Sequence, residues 1–265
     1  MYTLGFIGVG NMGGALLTAA LKNVSPKKIS VFDLDTKKTE SLKRDYGVVS
    51  VGLEEVAKNS DFVILGVKPY AVEGVLDTIK PFLRANKNCV LVSMAAGVSL
   101  WQISRYLDNE ECAVIRIMPN TPCAVGSGVI QFSTQNVDDL TKKSFVNVFS
   151  LAGLLDEISE SKIDAASALS GCGPAFVYLF AEALADAAVE CGLPRDKAVL
   201  YAAKTLQGTG KMLEEYGHVS DLKDAVCSPG GSTIAGVHAL EKGGLRGTVM
   251  DAVVASYQKT LKLNQ

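Results

Sequence analysis

Residues Gly8-Val9-Gly10-Asn11-Met12-Gly13 fit the pattern G-x-G-x-x-G, directly after an apolar run and directly before a stretch of helical periodicity. No other segment restricts the fold so tightly. The first glycine permits a sharp strand-to-helix turn, the second keeps the backbone bare, and the third lets helix and strand pack closely. The N–H groups at such a helix start have no partners inside the helix, so they suit an anion such as a pyrophosphate. A plain glycine-rich turn is the alternative reading of these six residues. Their setting decides between the two.

That setting is an alternation of strands and helices. Runs at 4–9, 29–33, 61–67, 89–94 and 113–118 are short, rich in Val and Ile and bounded by turn residues, so they read as buried strands. Helical patterning fills 11–22, 36–45, 70–82 and 100–107. Apolar strands separated by helices imply a parallel sheet covered on both faces. Runs at 128–132 and 153–158 extend that sheet around a helix at 138–150. Beyond about residue 162 the strand signals stop, and four helical segments are expected. The predicted fold is α/β: a Rossmann-like parallel-sheet domain over 1–160, then an all-α domain over 161–265.

In the helical part, Pro174 suits a helix start and Gly192-Leu193-Pro194 a helix stop. Between them the charges are Glu182, Asp186 and Glu190, at i, i+4 spacing, so the helix is apolar over most of its circumference. A small helical domain has few ways to bury such a helix alone. This predicts a homodimer formed through the helical domain.

Composition excludes several function classes. Hydrophobic residues make up 48% of the chain, which argues against disorder. The formal net charge is -2 with both signs mixed along the length, so neither nucleic acid nor an anionic membrane is an expected partner. No apolar run is expected to reach the roughly 18–20 residues that span a bilayer, and the start has no basic segment of the kind that opens a signal peptide. The six cysteines never form Cys-x-x-Cys and read as thiols of a cytoplasmic protein. With two histidines set apart, no metal site is predicted.

Asp33 ends the second predicted strand, twenty residues beyond Gly13. A carboxylate there accepts hydrogen bonds from adenosine ribose hydroxyls and repels a 2′-phosphate. It thereby favours NADH over NADPH, although Lys37 and Lys38 could offset the repulsion. A turn or helix-capping aspartate is the other reading. Ligands in such sheets lie beyond the carboxyl ends of the strands, which brings in Gly66-Val67-Lys68-Pro69 and Ser93-Met94-Ala95-Ala96-Gly97. Small residues for helix packing and a solvated Lys68 are the alternatives. The predicted NAD(P)H-binding residues are Ile7, Gly8, Val9, Gly10, Asn11, Met12, Gly13, Asp33, Val67, Lys68, Pro69, Met94, Ala95 and Ala96.

A second unusual segment comes late: Cys227-Ser228-Pro229-Gly230-Gly231-Ser232-Thr233-Ile234, a Pro-Gly-Gly turn running into a helix. Backbone N–H and hydroxyl donors crowd together there, as a small carboxylate requires. From spacing alone, ordinary capping by Ser232 or Thr233 is the better reading.

The stretch from Ser228 to Val237, with Leu240-Glu241 after it, resembles the signature of pyrroline-5-carboxylate reductases. Arg116-Ile117-Met118-Pro119-Asn120-Thr121-Pro122, Ala168-Leu169-Ser170-Gly171-Cys172-Gly173-Pro174-Ala175-Phe176 and Gly192-Leu193-Pro194-Arg195 are similar to further blocks of that family. So are Gly5-Phe6-Ile7-Gly8 through Gly13 and the 93–97 segment. A β-hydroxyacid dehydrogenase has a similar layout but carries a lysine shortly after its glycine-rich turn, where this chain has Ala-Phe-Val-Tyr.

The resemblance implies reduction of the cyclic imine 1-pyrroline-5-carboxylate to L-proline with NAD(P)H, the last step of proline biosynthesis. It implies interleaved dimers that assemble further, commonly into decamers. It also implies that the substrate carboxylate sits against the N–H groups of Gly230, Gly231 and Ser232 with hydroxyl help from Ser228 or Thr233, and that Thr233 hydrogen-bonds the ring nitrogen. Ser232 stands where the family usually has a smaller residue.

Overall fold

A computed structural model describes residues 1–264. Its strands are β1 (Tyr2–Ile7), β2 (Ile29–Phe32), β3 (Val49–Ser50), β4 (Ser60–Leu65), β5 (Val90–Ser93), β6 (Val114–Pro119), β7 (Gly128–Gln135) and β8 (Gly153–Glu157). They form one sheet in the order β3-β2-β1-β4-β5-β6-β7-β8. Helices α1 (Asn11–Ala20), α2 (Thr36–Tyr46), α3 (Leu53–Asn59), α4 (Val72–Ala85), α5 (Leu100–Leu107), α6 (Asp139–Phe149) and α7 (Glu160–Ser170) accompany it. The short β3 and α3 were not anticipated from the sequence, because two paired residues and two helical turns leave little periodicity to detect.

Residues of β1 alternate between two cores. Leu4 and Phe6 join Leu16, Ile64, Val92, Phe145 and Phe149 on one face, and Ile7 joins Val63, Leu65, Leu76, Leu91 and Ile103 on the other. Both faces are therefore dry, which is why these strands read as continuous apolar runs. Pairing is parallel from β3 through β6. β7 then runs antiparallel to β6, with Arg116 opposite Ser133, and β8 is parallel to β7. The 3-10 segment Thr121–Val125 that joins β6 to β7 is too short for a parallel crossover, so the chain must return antiparallel.

By internal packing the chain divides into Met1–Cys172 with its last residues from Ser256, and Gly173–Ala255. The sequence reading set the boundary at 160. Helix α7 stays with the sheet because Asn120 Nδ2 donates to the Ser170 carbonyl at 3.0 Å and Gln131 Nε2 to Ser170 Oγ at 2.8 Å.

The second unit carries α8 (Gly173–Glu190), α9 (Arg195–Tyr216), α10 (Val219–Ala225), α11 (Ser232–Lys242) and, up to Ala255, the greater part of α12 (Leu245–Leu261). From α7 onward there are thus six helices among the described residues, not four. Gly217 and the His218 cap separate α9 from α10, and glycines end both α9 and α11. Helices α8 and α9 pair through Ala185, Ala198 and Ala202, the buried core of this unit. Large apolar side chains stay open, Tyr178 at 66% and Leu179 at 69% exposure among them.

One expectation is corrected here. The helical run Glu160–Glu190 contains an 18-residue window of mean hydropathy 1.4, long and apolar enough by composition to cross a membrane, and only 11% of it is buried within the chain.

Candidate active site

The chain leaves β1 for β2 on one side and reaches β4 on the other, so a crevice opens at the carboxyl end of β1, the usual ligand position of such sheets. Gly8 turns the chain there with φ +92°, and its N–H donates to the Phe32 carbonyl at 2.8 Å. A Cβ on Gly13 would run into the Gly8 carbonyl oxygen, so α1 can lie this close to the turn only without a side chain. Gly10 differs. A Cβ there would meet nothing within 4 Å. Gly10 is also the N-cap of α1, no side chain caps that helix, and Gly14 N is the first amide to bond back to it, at 2.7 Å. The turn is thus a bare backbone concavity with unspent N–H groups, and it fits a pyrophosphate.

Asp33 closes the turn from the next strand. Its Oδ2 accepts the Val9 N–H at 2.9 Å and its Oδ1 the Asp35 N–H at 2.9 Å, while Lys38 Nζ lies 3.8 Å from Oδ1. The helix cap of α2 is Asp35, not Asp33. Val9, Lys37, Lys38, Ser41 and Leu42 line a cavity of about 330 Å³ beside this carboxylate.

The second loop meets the first. Gly66 N donates to the Ile7 carbonyl at 2.8 Å, and a Cβ on Gly66 would come within 2.5 Å of the Gly8 oxygen. Val67 is half-buried, Lys68 is exposed and Pro69 starts a short 3-10 turn. The third loop joins through Met94 N, which donates to the Leu65 carbonyl at 3.3 Å. Met94 and Ala96 are partly open and Ala95 is buried. The structure therefore brings together the predicted residues at 7–13, 33, 67–69 and 94–96 at the carboxyl ends of the central strands. Gly66 was placed in a cofactor-bordering loop but not named as a contact, and Ser41 was not predicted. Close backbone approach at Gly66 leaves no pattern of its own, and Ser41 enters only because α2 turns one face to Val9.

The late loop belongs to the helical unit. Gly231 N donates to the Ser228 carbonyl at 3.0 Å, with Pro229 and a left-handed Gly230 (φ +69°) between them, the arrangement of a type II turn. This corrects one expectation: the Gly231 N–H is spent inside the turn and cannot hold a carboxylate. The remaining donors are better placed. Gly231 is the N-cap of α11 and has no side chain to cap it, so the N–H groups of Ser232 and Thr233 in the first turn have no partner inside the helix. Capping by the Ser232 or Thr233 hydroxyl is absent. Ser228, Gly230, Ser232 and Thr233 are all exposed.

Comparison with known proteins settles the family. A family pattern described as pyrroline-5-carboxylate reductase dimerisation matches residues 160–263, and one described as NADP oxidoreductase coenzyme F420-dependent matches 3–97. A pyrroline-5-carboxylate reductase of Glycine max is 38% identical over 268 residues, which cover 99% of this chain and 96% of that protein. The chain belongs to the pyrroline-5-carboxylate reductase family. The reductase of Escherichia coli (strain K12) is likewise 38% identical, over 99% of this chain and 98% of that one. Among solved structures, the Plasmodium falciparum pyrroline carboxylate reductase with NADP bound superposes with a TM-score of 0.90 at 33% identity, covering 100% of this chain and 98% of that one. This member of the reductase family is an NAD(P)-dependent oxidoreductase, and its function is that of a pyrroline-5-carboxylate reductase.

Proposed function

We propose that the chain reduces 1-pyrroline-5-carboxylate to L-proline by dividing the work between its two units. The nicotinamide supplies a hydride to the imine carbon when bound. The carboxyl end of the sheet holds that cofactor: Gly8 to Gly13 take the pyrophosphate, Asp33 the ribose, and the 67–69 and 94–96 loops the remainder. The Ser228–Thr233 loop binds the substrate carboxylate through the N–H groups of Gly230 and Ser232, with Ser228 and Ser232 hydroxyls beside them. The Thr233 hydroxyl hydrogen-bonds the ring nitrogen. The observation that carries this reading is the uncapped start of α11, where donors sit without partners in the chain.

Little more is required of the protein. A protonated imine is already a strong electrophile, so orientation supplies much of the rate. Asp33 favours NADH, because a carboxylate tethered by two amides cannot turn away from a 2′-phosphate. The open apolar surface of α8 and α9 and the dimerisation pattern over 160–263 support a homodimer through the helical unit; a decamer as its higher assembly follows from the family resemblance alone. Six free thiols fit a reducing, cytoplasmic setting.

Thr233→Ala tests the assignment. Loss of one hydrogen bond to a charged group is worth about 1.5–3 kcal/mol, so kcat/KM for pyrroline-5-carboxylate should fall by about 10- to 100-fold with cofactor affinity unchanged. Unaltered kcat/KM would remove Thr233 from the site.

A further inference from the structure

A buried guanidinium sits behind the third cofactor loop. Arg116 of β6 is 2% exposed and lies in register between Ser93 of β5 and Ser133 of β7. Its two terminal nitrogens reach one face of α7: one donates to Glu160 Oε1 at 3.2 Å, the other to Asp164 Oδ1 at 2.5 Å. Its Nε has no hydrogen-bond partner among the described residues. One cation thus faces two carboxylates while one of its donors goes unused. A cluster of this kind is weak evidence for a purely stabilising role.

Glu160 has a second task. The same Oε1 accepts the N–H of Leu100 at 2.6 Å, the first residue of α5. Ser99 and Gln102 form a reciprocal capping box on that helix, which satisfies their own two amides and leaves the Leu100 and Trp101 amides of the first turn over. The loop from Met94 to Ser99 is therefore held at both ends by one residue. Ser93 before it is strand-paired to Arg116, and Leu100 after it is tied to Arg116 through Glu160.

We propose that Arg116 and Glu160 are positioning residues for the cofactor, acting through the backbone of the 94–99 loop. The inference rests on the reading of Met94 to Ala96 as cofactor contacts. Asp164 holds the other arm of the guanidinium and, among the described residues, shows no hydrogen bond to the loop, which makes it the internal control.

The test is fluorescence titration of NADH and NADPH with the full-length protein, alongside steady-state kinetics. Glu160→Ala should raise the cofactor Kd about tenfold, the scale of one charge-assisted hydrogen bond, while the pyrroline-5-carboxylate KM stays within about twofold. Glu160→Gln keeps an acceptor for the Leu100 amide and should recover most of the affinity. Asp164→Asn should lower Tm yet leave the Kd within about twofold. If Asp164→Asn weakens cofactor binding as far as Glu160→Ala, the cluster is only structural and the proposal fails. If Glu160→Ala does not fold, Arg116→Lys decides, because lysine keeps the charge but not the forked geometry; an unchanged Kd then overturns the proposal. Ala96→Leu separates the two levels. Should it leave cofactor binding intact, the loop is no cofactor contact and the underlying reading falls. Should it weaken binding while Glu160→Ala does not, the positioning role alone falls.

Discussion

The Val9 amide donates to Asp33 Oδ2 at 2.9 Å, tying the glycine turn to the end of the neighbouring strand across 24 residues of sequence. The other carboxylate oxygen takes the Asp35 amide, so the group is held in place from both sides. Lys38, 3.8 Å from Asp33 and 3.9 Å from Asp35, lies between two carboxylates and cannot cancel both.

The cofactor choice proposed above rests on this tether. The unmodified protein should prefer NADH. Asp33→Ser removes the carboxylate and should weaken NADH by about tenfold, on the scale of a hydrogen bond to a charged group, while NADPH loses far less. Steady-state rates with both cofactors side by side are the measurement, and a strong NADPH preference in the unmodified protein would contradict the role given to Asp33.

Two glycines of the fingerprint should behave oppositely. At Gly13 an added methyl meets the Gly8 carbonyl, an overpacking that costs about 1–3 kcal/mol and should lower Tm by several degrees. At Gly10 it meets nothing in the protein and φ is an ordinary -67°, so Gly10→Ala should move Tm little. Its effect should appear in cofactor Kd instead. A large Tm loss for Gly10→Ala would mean that the concavity is packed rather than open.

The helical unit makes a prediction about mass. Leu179 is 69% exposed on α8, in a unit whose buried core is three alanines. Sedimentation should give at least a dimer for the unmodified chain. Leu179→Arg should shift it toward monomer and abolish turnover, and a Leu179→Arg protein that stays dimeric would place the interface elsewhere.

Alkaline pH should destabilise the sheet unit through Cys89. Burial pushes its thiol from 9.0 up to about 12, with Cys112 and Asp61 adding to the shift. Between those two values the unfolded chain releases a proton that the folded chain keeps, so stability falls as pH rises through that window. Tm should drop more steeply above pH 9.0 than in Cys89→Ala. Alkylation of Cys89 should require unfolding, and rapid labelling of the native protein would show the thiol to be accessible.

Much of the sheet unit was legible in the sequence because its signals are local. Apolar strands, turn residues and the glycine spacing lie within a few positions of each other, and α5 was expected at the bounds observed, Leu100–Leu107. The family-specific blocks then pointed to the imine. The helical unit was less legible. Its helices are apolar on faces that the chain itself does not bury, so periodicity could not separate α10 from its neighbours or count the helices.

By itself, the sequence determined the α/β class, the fingerprint turn, the candidate loops and the apolar helix that asks for a partner. Tertiary structure alone decided that β7 returns antiparallel and that Asp33 is tethered rather than free. It alone joined Arg116 to Leu100 through Glu160. The physical reason is common to all three. Which donor meets which acceptor depends on distances set by packing and backbone direction, and no local pattern of residue types records them.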